Sequence, residues 1–167
     1  MGIEIERKFL VAADDWRAGV ESSQRMAQGY LDAGDALACG SGKTSVRVRI
    51  AGESAWLNIK SRQSGAARQE FEYSIPLADA QALLHLCSGG LIDKTRHHVR
   101  HGGFLWEIDE FAGVNAGLIV AEIELPAADT AFARPDWLGH EVTDAPRYYN
   151  HALAQRPYSQ WAPEEKT

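Results

Sequence analysis

Charged and apolar residues alternate along most of this chain, a pattern that predicts β-strands. The first such segment covers residues 1–11, where Glu4, Glu6 and Lys8 alternate with Ile3, Ile5 and Phe9. Successive side chains of a strand point to opposite faces, so the charged residues share one face. Two carboxylates on one face repel each other unless a cation lies between them, so Glu4 and Glu6 are a candidate pair of divalent-metal ligands. The alternative is a solvated strand face, which is common in antiparallel sheets.

Seven further segments are predicted as strands, at 24–32, 43–50, 55–61, 68–75, 91–100, 104–111 and 118–125. Six of them carry charge on one face, in the order Arg47 and Arg49, Lys60, Glu70 and Glu72, Lys94 and Arg96, Glu107 and Asp109, Glu122 and Glu124. Each group has a single sign. A solvent-exposed surface would mix the signs and include more uncharged polar residues. The grouping therefore predicts a charged interior.

Eight strands joined mostly by short turns predict an α+β protein built on a closed eight-stranded antiparallel β-barrel, a tunnel with a charged interior and a few flanking helices. The clearest helix is predicted at 76–88, between a proline and a pair of glycines. Shorter helices are predicted at 13–18, 133–138 and 146–154. We expect a single tunnel domain over residues 1–156 and a C-terminal tail over 157–167 that frays.

The charged interior needs a ligand that neutralises both signs, and a polyphosphate with divalent metal is such a ligand. Arginine and lysine bind anionic oxygens, arginine through a bidentate fork and lysine as a point charge. Carboxylates hold Mg²⁺ or Mn²⁺, which in turn bridges phosphate oxygens.

Composition narrows the class of protein further. The chain has 167 residues, 45% hydrophobic and 24% charged, which is ordinary for a single globular domain. It contains no apolar run near the roughly 20 residues of a spanning helix and no signal-peptide pattern, so we expect no membrane association and a cytoplasmic protein. The net charge of −6 argues against nucleic acid as a partner. Cys39 and Cys87 lack metal-site spacing, and the histidines at 97, 98 and 101 are divided between strand faces by alternation.

The opening Glu4-x-Glu6-x-Lys8 resembles the signature of the CYTH superfamily, the triphosphate tunnel metalloenzymes. The later charged groups follow in the order that this family shows, and the resemblance covers residues 1 to about 154. It implies an eight-stranded tunnel that binds a triphosphate compound with divalent metal. Members include small bacterial inorganic triphosphatases, thiamine triphosphatases, RNA triphosphatases and class IV adenylate cyclases, so the fold leaves the substrate open.

The resemblance also implies roles for individual residues. The implied metal ligands are Glu4, Glu6, Asp109, Glu122 and Glu124, and the implied phosphate clamp is Lys8, Arg47, Arg49, Lys60, Lys94 and Arg96. Glu70 and Glu72 match further tunnel carboxylates, for metal or for water. The expected catalytic residues are Lys8, Glu6 and Tyr30, although Tyr30 is equally explained as a packed aromatic at the rim.

The resemblance, taken with the charge pattern, implies metal-dependent hydrolysis of a small triphosphate, chiefly inorganic tripolyphosphate to pyrophosphate and phosphate. No aromatic clamp for an organic group is evident, so the binding energy must come from the phosphate chain. The alternatives are an adenylate cyclase or a thiamine triphosphatase of the same fold, and a non-catalytic polyphosphate-binding module. We expect a monomer or homodimer.

Overall fold

The computed structural model describes residues 5–31, 44–61 and 69–166. These residues form nine strands in one sheet: β1 Glu6–Val11, β2 Val20–Tyr30, β3 Thr44–Ala51, β4 Ser54–Ser61, β5 Glu70–Ser74, β6 Ser88–His101, β7 Phe104–Phe111, β8 Ile119–Glu124 and β9 Leu138–Glu141. The predicted class, a largely antiparallel α+β fold, is confirmed. The eight predicted strands are all present, with bounds that shift by a few residues.

The strands follow the order β5-β4-β3-β2-β6-β7-β8-β1-β9, and every neighbouring pair is antiparallel. The prediction of a closed eight-stranded barrel is wrong in two respects. Within the described ranges, β5 and β9 remain the two edges of the sheet, and the sheet has nine strands. The sheet is nevertheless curled, as shown by the side chains from β1 through β8 that line one cavity.

The ninth strand is a segment that the sequence misassigned. Residues 133–138 were expected to be helical, but Pro135 has no amide hydrogen for a helical ladder and instead accepts a turn hydrogen bond from Leu138. The chain then extends as β9 along the outer edge of β1, with Phe9 opposite Glu141 and a register shift at this edge. At Gly139 a Cβ would lie 2.9 Å from the Leu10 carbonyl oxygen, so this close approach requires glycine.

The helices are short and mostly follow the prediction. Helix α1, Leu77–Leu84, lies within the predicted 76–88 segment and ends earlier, because β6 begins at Ser88. The predicted 146–154 helix is divided into a 3₁₀ turn, Pro146–Tyr148, and helix α2, Asn150–Gln155. The early helix is a 3₁₀ turn, Asp15–Gly19. None of the helices in the described ranges has the length and apolar character of a membrane span.

One face of the sheet is covered by aromatic residues. Phe9, Trp106 and Ile108 are fully buried there, and Trp137 from the segment before β9 packs edge to face on Trp106. Trp16 of the first 3₁₀ turn joins the same core. We call this the outer face, and its burial leaves the charged residues of the alternating strands on the opposite face, the cavity face.

The cavity face changes from charged to apolar along each of four strands. Two positions beyond a charged residue, the same face carries a hydrophobic one: Lys8 and Leu10, Lys94 and Ile92, Asp109 and Phe111, Glu122 and Val120. These apolar residues form a second core with Tyr148 and Leu153 of the C-terminal segment. The packing closes the apolar end of the cavity face and leaves the charged part for solvent or ligand.

The C-terminal segment after residue 156 contributes to this second core. Trp161 is buried, stacks edge to face with Tyr148 and Tyr158, and donates from its indole nitrogen to the Arg156 carbonyl. Arg156 also forms a two-point ion pair with Glu165. Tyr158 and Trp161 are therefore packed against the domain, while the domain boundary at residue 156 and the fraying of the tail stay predictions.

Candidate active site

A cavity of about 660 Å³ opens on the cavity face. Its charged lining consists of six cations and six carboxylates: Lys8, Arg47, Arg49, Lys60, Lys94, Arg96, Glu6, Glu70, Glu72, Glu107, Glu122 and Glu124. All six predicted clamp residues are among them. The alternation of side chains along the strands explains why these residues converge. They occupy every second position of each strand, and the residues paired across the sheet at these positions point to the same face.

The charged residues fall into two groups. Strands β3, β4 and β5 carry Arg47, Arg49, Lys60, Glu70 and Glu72, which we call the arginine side. Strands β1, β6, β7 and β8 carry the remaining lining residues and the buried Asp109, which together we call the carboxylate side: Lys8, Lys94, Arg96, Glu6, Glu107, Asp109, Glu122 and Glu124. Three cations face two carboxylates on the first side, whereas three cations face five carboxylates on the second.

On the carboxylate side, Asp109 connects the cations into a buried network. It is 1% exposed and accepts from Lys94, which is 2% exposed. It also accepts from Arg96 through Nε at 2.7 Å and NH2 at 2.7 Å. Glu122 continues the network, 2.8 Å from Arg96 NH2 and 2.7 Å from Lys8 Nζ. Every one of these three cations is held by at least one buried carboxylate.

The pKa values of this network reflect burial set against close charges. Burial alone would lower the pKa of Lys8, but Glu122 and Glu6 outweigh it and raise that pKa above its ordinary value. Burial would raise the pKa of Glu122, yet Lys8 and Arg96 hold it well below the usual carboxyl range. Burial lowers the pKa of Lys94, and neighbouring Arg96 adds to that effect. The carboxylates are therefore ionised at neutral pH and fix the cations in place.

On the arginine side, the ion pairs of the two arginines are longer than those of Arg96 with Asp109 and Glu122. Arg49 NH2 lies 3.0 Å from Glu72, and Arg47 NH2 lies 4.0 Å from Glu70. Asn58, fully buried, donates to Glu70 at 3.1 Å and to Glu72 at 2.6 Å, which ties the two carboxylates to the sheet. The carboxylates of this side are thus shared between an amide and the cations.

Two arginines of this side keep unused donor capacity. The Nε groups of Arg47 and Arg49 are buried and have no acceptor within the described part of the chain. Burial and the neighbouring charge of Arg47 lower the pKa of Arg49, so its charge is under-compensated in the ligand-free protein. A buried donor without a partner is costly, and a phosphate oxygen is the acceptor that a guanidinium group favours.

The facing carboxylates of Glu6 and Glu124 fit a divalent cation. Glu6 and Glu124 lie directly opposite each other on β1 and β8, and like charges in that position destabilise a sheet. Over the residues that the structure describes, Glu124 has no ion-pair partner, and no set of three or more His, Cys, Asp or Glu side chains is close enough to hold a metal by itself. Carboxylate pairs that leave coordination positions for substrate phosphates suit Mg²⁺.

Glu4, Asp109 and Tyr30 were also predicted to belong to the site, and the structure places them differently or does not describe them. Glu4 lies outside the described residues, so its predicted role as a metal ligand stays a prediction. Asp109 does not line the cavity, and both of its oxygens accept from Lys94 and Arg96. Tyr30 does line the cavity, but it is 8% exposed and belongs to the apolar core, in contact with His151. Its hydroxyl lies 3.5 Å from the Gln28 amide nitrogen.

Sequence reasoning gave no role to six residues that line the cavity, although it placed Glu107 on the charged face: Gln28, Ser45, Glu107, Tyr149, Asn150 and His151. Gln28, Ser45 and Glu107 each lie two positions from Tyr30, Arg47 and Asp109 on the same strand, so the alternation of side chains was enough to place them on the cavity face. The other three come from the C-terminal segment, where Tyr149 packs over Lys8 at 5.5 Å and donates to the Thr143 carbonyl at 2.6 Å. No periodic pattern connects that segment to the strands.

The fold and the paired signs of charge define a class of protein, a curled β-sheet whose cavity is lined by cations and carboxylates together. The CYTH domain family model matches residues 2–152, and this chain belongs to that family. It is 41% identical over 159 residues to an inorganic triphosphatase of Acetivibrio thermocellus, an alignment that covers 95% of this chain and 97% of the relative. It is 36% identical over 154 residues to an inorganic triphosphatase of Nitrosomonas europaea, covering 90% and 96%.

Solved structures agree with the sequence relatives. The crystal structure of an inorganic triphosphatase superposes with a TM-score of 0.69 at 33% identity, over 98% of both chains. A protein of Pyrococcus horikoshii OT3 superposes with a TM-score of 0.55 at 17% identity, over 76% of this chain and 80% of that one. The second likeness is one of fold alone.

Proposed function

We propose that this chain is a metal-dependent triphosphatase that hydrolyses inorganic tripolyphosphate to pyrophosphate and phosphate. The observation that carries the proposal is the meeting of all six clamp cations in one cavity with the facing carboxylates Glu6 and Glu124. The relatives of similar length that are named inorganic triphosphatases support the same reaction.

The chain's own residues divide the work of phosphoryl transfer. Arg47 and Arg49 bind the equatorial oxygens of a phosphoryl group with donors that the protein leaves unused. Lys8 and Arg96 are held in position by Glu122, so they present fixed positive charge where negative charge develops. The charge is already in place before the substrate arrives, and no protein group needs to form a covalent intermediate.

The metal would be held by Glu6 and Glu124, with Glu4 and Glu122 as the further predicted ligands. When bound, Mg²⁺ or Mn²⁺ supplies charge neutralisation of the phosphate chain and a more acidic water. We assign Asp109 a positioning role toward Lys94 and Arg96, since both of its oxygens accept from them.

The lining favours a substrate made of phosphate alone. Among the described residues, the cavity is lined by the aromatic side chains of Tyr30, Tyr149 and His151. Tyr30 packs in the apolar core, Tyr149 covers Lys8, and the His151 imidazole contacts both tyrosine rings. Trp56 of β4 is taken by Arg49, whose guanidinium carbon lies 5.2 Å from the ring centre. None of these rings is presented for stacking on a base, so binding energy must come from the charged groups.

The test is a side-by-side assay of inorganic tripolyphosphate, ATP and thiamine triphosphate with Mg²⁺, measuring phosphate, pyrophosphate and cyclic AMP. We expect the highest kcat/KM for tripolyphosphate, with phosphate and pyrophosphate released in equal amounts. Cyclic AMP from ATP would instead identify a cyclase. Binding of tripolyphosphate without turnover would identify a binding module. The cytoplasmic location, the lack of nucleic-acid partners and the monomeric or homodimeric state stay predictions.

A further inference from the structure

Strands β2, β6 and β7 carry two Ser–His–Glu arrays, one on each face of the sheet. On the cavity face, Ser22 Oγ lies 2.9 Å from His98 Nδ1, and His98 Nε2 lies 3.5 Å from Glu107 Oε1. On the outer face, Ser23 Oγ lies 2.7 Å from His97 Nδ1, and His97 Nε2 lies 3.3 Å from Glu110 Oε2. The two arrays have the same composition, but only the first reaches the cavity.

The inner array ends on the phosphate clamp. Glu107 lines the cavity, and its second oxygen, Oε2, accepts from Arg96 NH1. The outer array ends on Arg17 of the first 3₁₀ turn, which binds Glu110 by two hydrogen bonds of 3.0 Å and 2.7 Å. The outer array therefore fastens a turn to the sheet, whereas the inner one acts on a residue proposed to bind substrate.

The donors of Arg96 show what Glu107 occupies. Nε and NH2 are taken by Asp109, and NH2 is also taken by Glu122. Both of these carboxylates are buried, while the Glu107 side chain is 36% exposed. Among the described residues, Nη1 is the nitrogen of Arg96 that donates to no buried carboxylate. It donates to Glu107 instead. Nη1 carries a second N–H beyond the one that Glu107 uses, so a phosphate oxygen that binds there lies beside the Glu107 carboxylate and is repelled by its charge.

From this geometry we infer that Glu107 is a displaceable counter-ion of the clamp and a positioning residue for Arg96, with His98 as the group that receives it. In the ligand-free protein Glu107 bridges Arg96 and His98. When a triphosphate arrives, Glu107 gives up NH1 and keeps its contact with His98, which holds the carboxylate away from the phosphate. This inference rests on the proposed function and names a residue that sets substrate affinity.

The test is a double-mutant cycle on the full-length protein with tripolyphosphate and Mg²⁺, using Glu107→Gln, His98→Ala and the combination. Glu107→Gln keeps the shape of the side chain and removes its charge. We therefore expect KM to fall roughly two- to fivefold, which corresponds to the loss of a half-exposed ion pair. We expect kcat to change by less than about twofold. His98→Ala frees Glu107 to stay on Arg96, so KM rises by about twofold. The double variant has the KM of Glu107→Gln, because His98 acts through Glu107.

The outer array supplies matched controls. Glu110→Gln and His97→Ala change the same residue types on the same strands, and we expect unchanged KM even where the melting temperature falls. A higher KM for Glu107→Gln, or additive effects of the two inner changes, would overturn the inference. If Glu107→Gln does not fold, His98→Ala against His97→Ala still decides, because equal KM values for these two variants would contradict it. A wild-type protein without tripolyphosphate turnover would defeat the proposed function instead, and that is known before any variant is compared.

Discussion

The two sides of the cavity are built from the same alternating strands, yet they solve the problem of buried charge differently. On the carboxylate side, Lys94 and Asp109 are almost fully buried and satisfy each other. On the arginine side, Arg47 and Arg49 are partly buried, and their Nε groups have no acceptor among the residues that the structure describes. A cation that is already neutralised supports the fold, whereas a cation that is under-compensated is ready for an anionic ligand. The difference separates the Lys94–Asp109 pair, which is satisfied inside the protein, from the Nε groups of Arg47 and Arg49, which have no acceptor among the described residues.

The largest expected effect is on stability, at the buried pair. Lys94→Ala leaves Asp109 buried with Arg96 as its remaining cation, so we expect the free energy of unfolding to fall by about 3–5 kcal/mol. Urea denaturation followed by circular dichroism measures this change. Lys60→Ala is the matched control from the arginine side, because the Lys60 side chain is 24% exposed. Equal losses in the two variants would remove the distinction between the sides.

The second effect is on binding, at the arginine side. Arg49→Ala removes a phosphate-binding fork, and the loss of such a buried charged contact is on the order of 2–5 kcal/mol in kcat/KM for tripolyphosphate. The fold should survive, because burial already disfavours the Arg49 charge in the ligand-free protein. Arg25→Ala provides the control, since Arg25 lies on neighbouring β2, pairs with Asp93 and does not line the cavity. A comparable loss of kcat/KM in Arg25→Ala would contradict the assignment.

Much of this contrast follows from the sequence, and the reasons are local. Alternation with period two places Arg47, Lys94 and Glu122 on one face, and any strand in the correct register does the same. The ninth strand could not be predicted, because Leu138–Glu141 is four residues long and gains its stability from the edge of β1.

The site shows a similar limit. The sequence predicts which side chains meet, but the degree of pairing depends on distances between strands far apart in the chain. Asp109, for example, alternates along its strand like a carboxylate that lines the cavity. Only its contacts with Lys94 and Arg96 show that its oxygens are occupied by hydrogen bonds inside the sheet. Tyr149 reaches the cavity through packing of the C-terminal segment, for which no sequence pattern exists.

The third effect concerns the metal. Chelation should abolish turnover, because carboxylates and phosphates repel each other without a cation. Glu124→Gln removes one of the two facing carboxylates, so we expect the Mg²⁺ concentration for half-maximal activity to rise by about 10- to 100-fold, with the fold unchanged. A titration of activity against Mg²⁺ measures this shift. Full turnover in excess chelator would show that the metal assignment is wrong.

The smallest effect is a pH dependence of stability on the carboxylate side. Lys8 and Arg96 hold the pKa of Glu122 below its unfolded value of about 4.3, so Glu122 contributes stability above that pH and loses it as pH falls toward its folded-state pKa. Between pH 7 and pH 3 this loss is on the order of 2 kcal/mol. Urea denaturation at the two pH values should show a smaller difference for Glu122→Gln than for the wild type. An equal difference would mean that Glu122 does not titrate in this way.

The account's central claim is that the arginine side binds phosphate and the carboxylate side holds metal. Calorimetric titration of tripolyphosphate into the wild type, Arg49→Ala and Glu124→Gln, each first in chelator and then with Mg²⁺, separates the two roles. We expect metal-free binding in the wild type and in Glu124→Gln but not in Arg49→Ala, and a weaker Mg²⁺-induced gain in affinity for Glu124→Gln than for the wild type. Loss of metal-free binding in Glu124→Gln with retention in Arg49→Ala would contradict it.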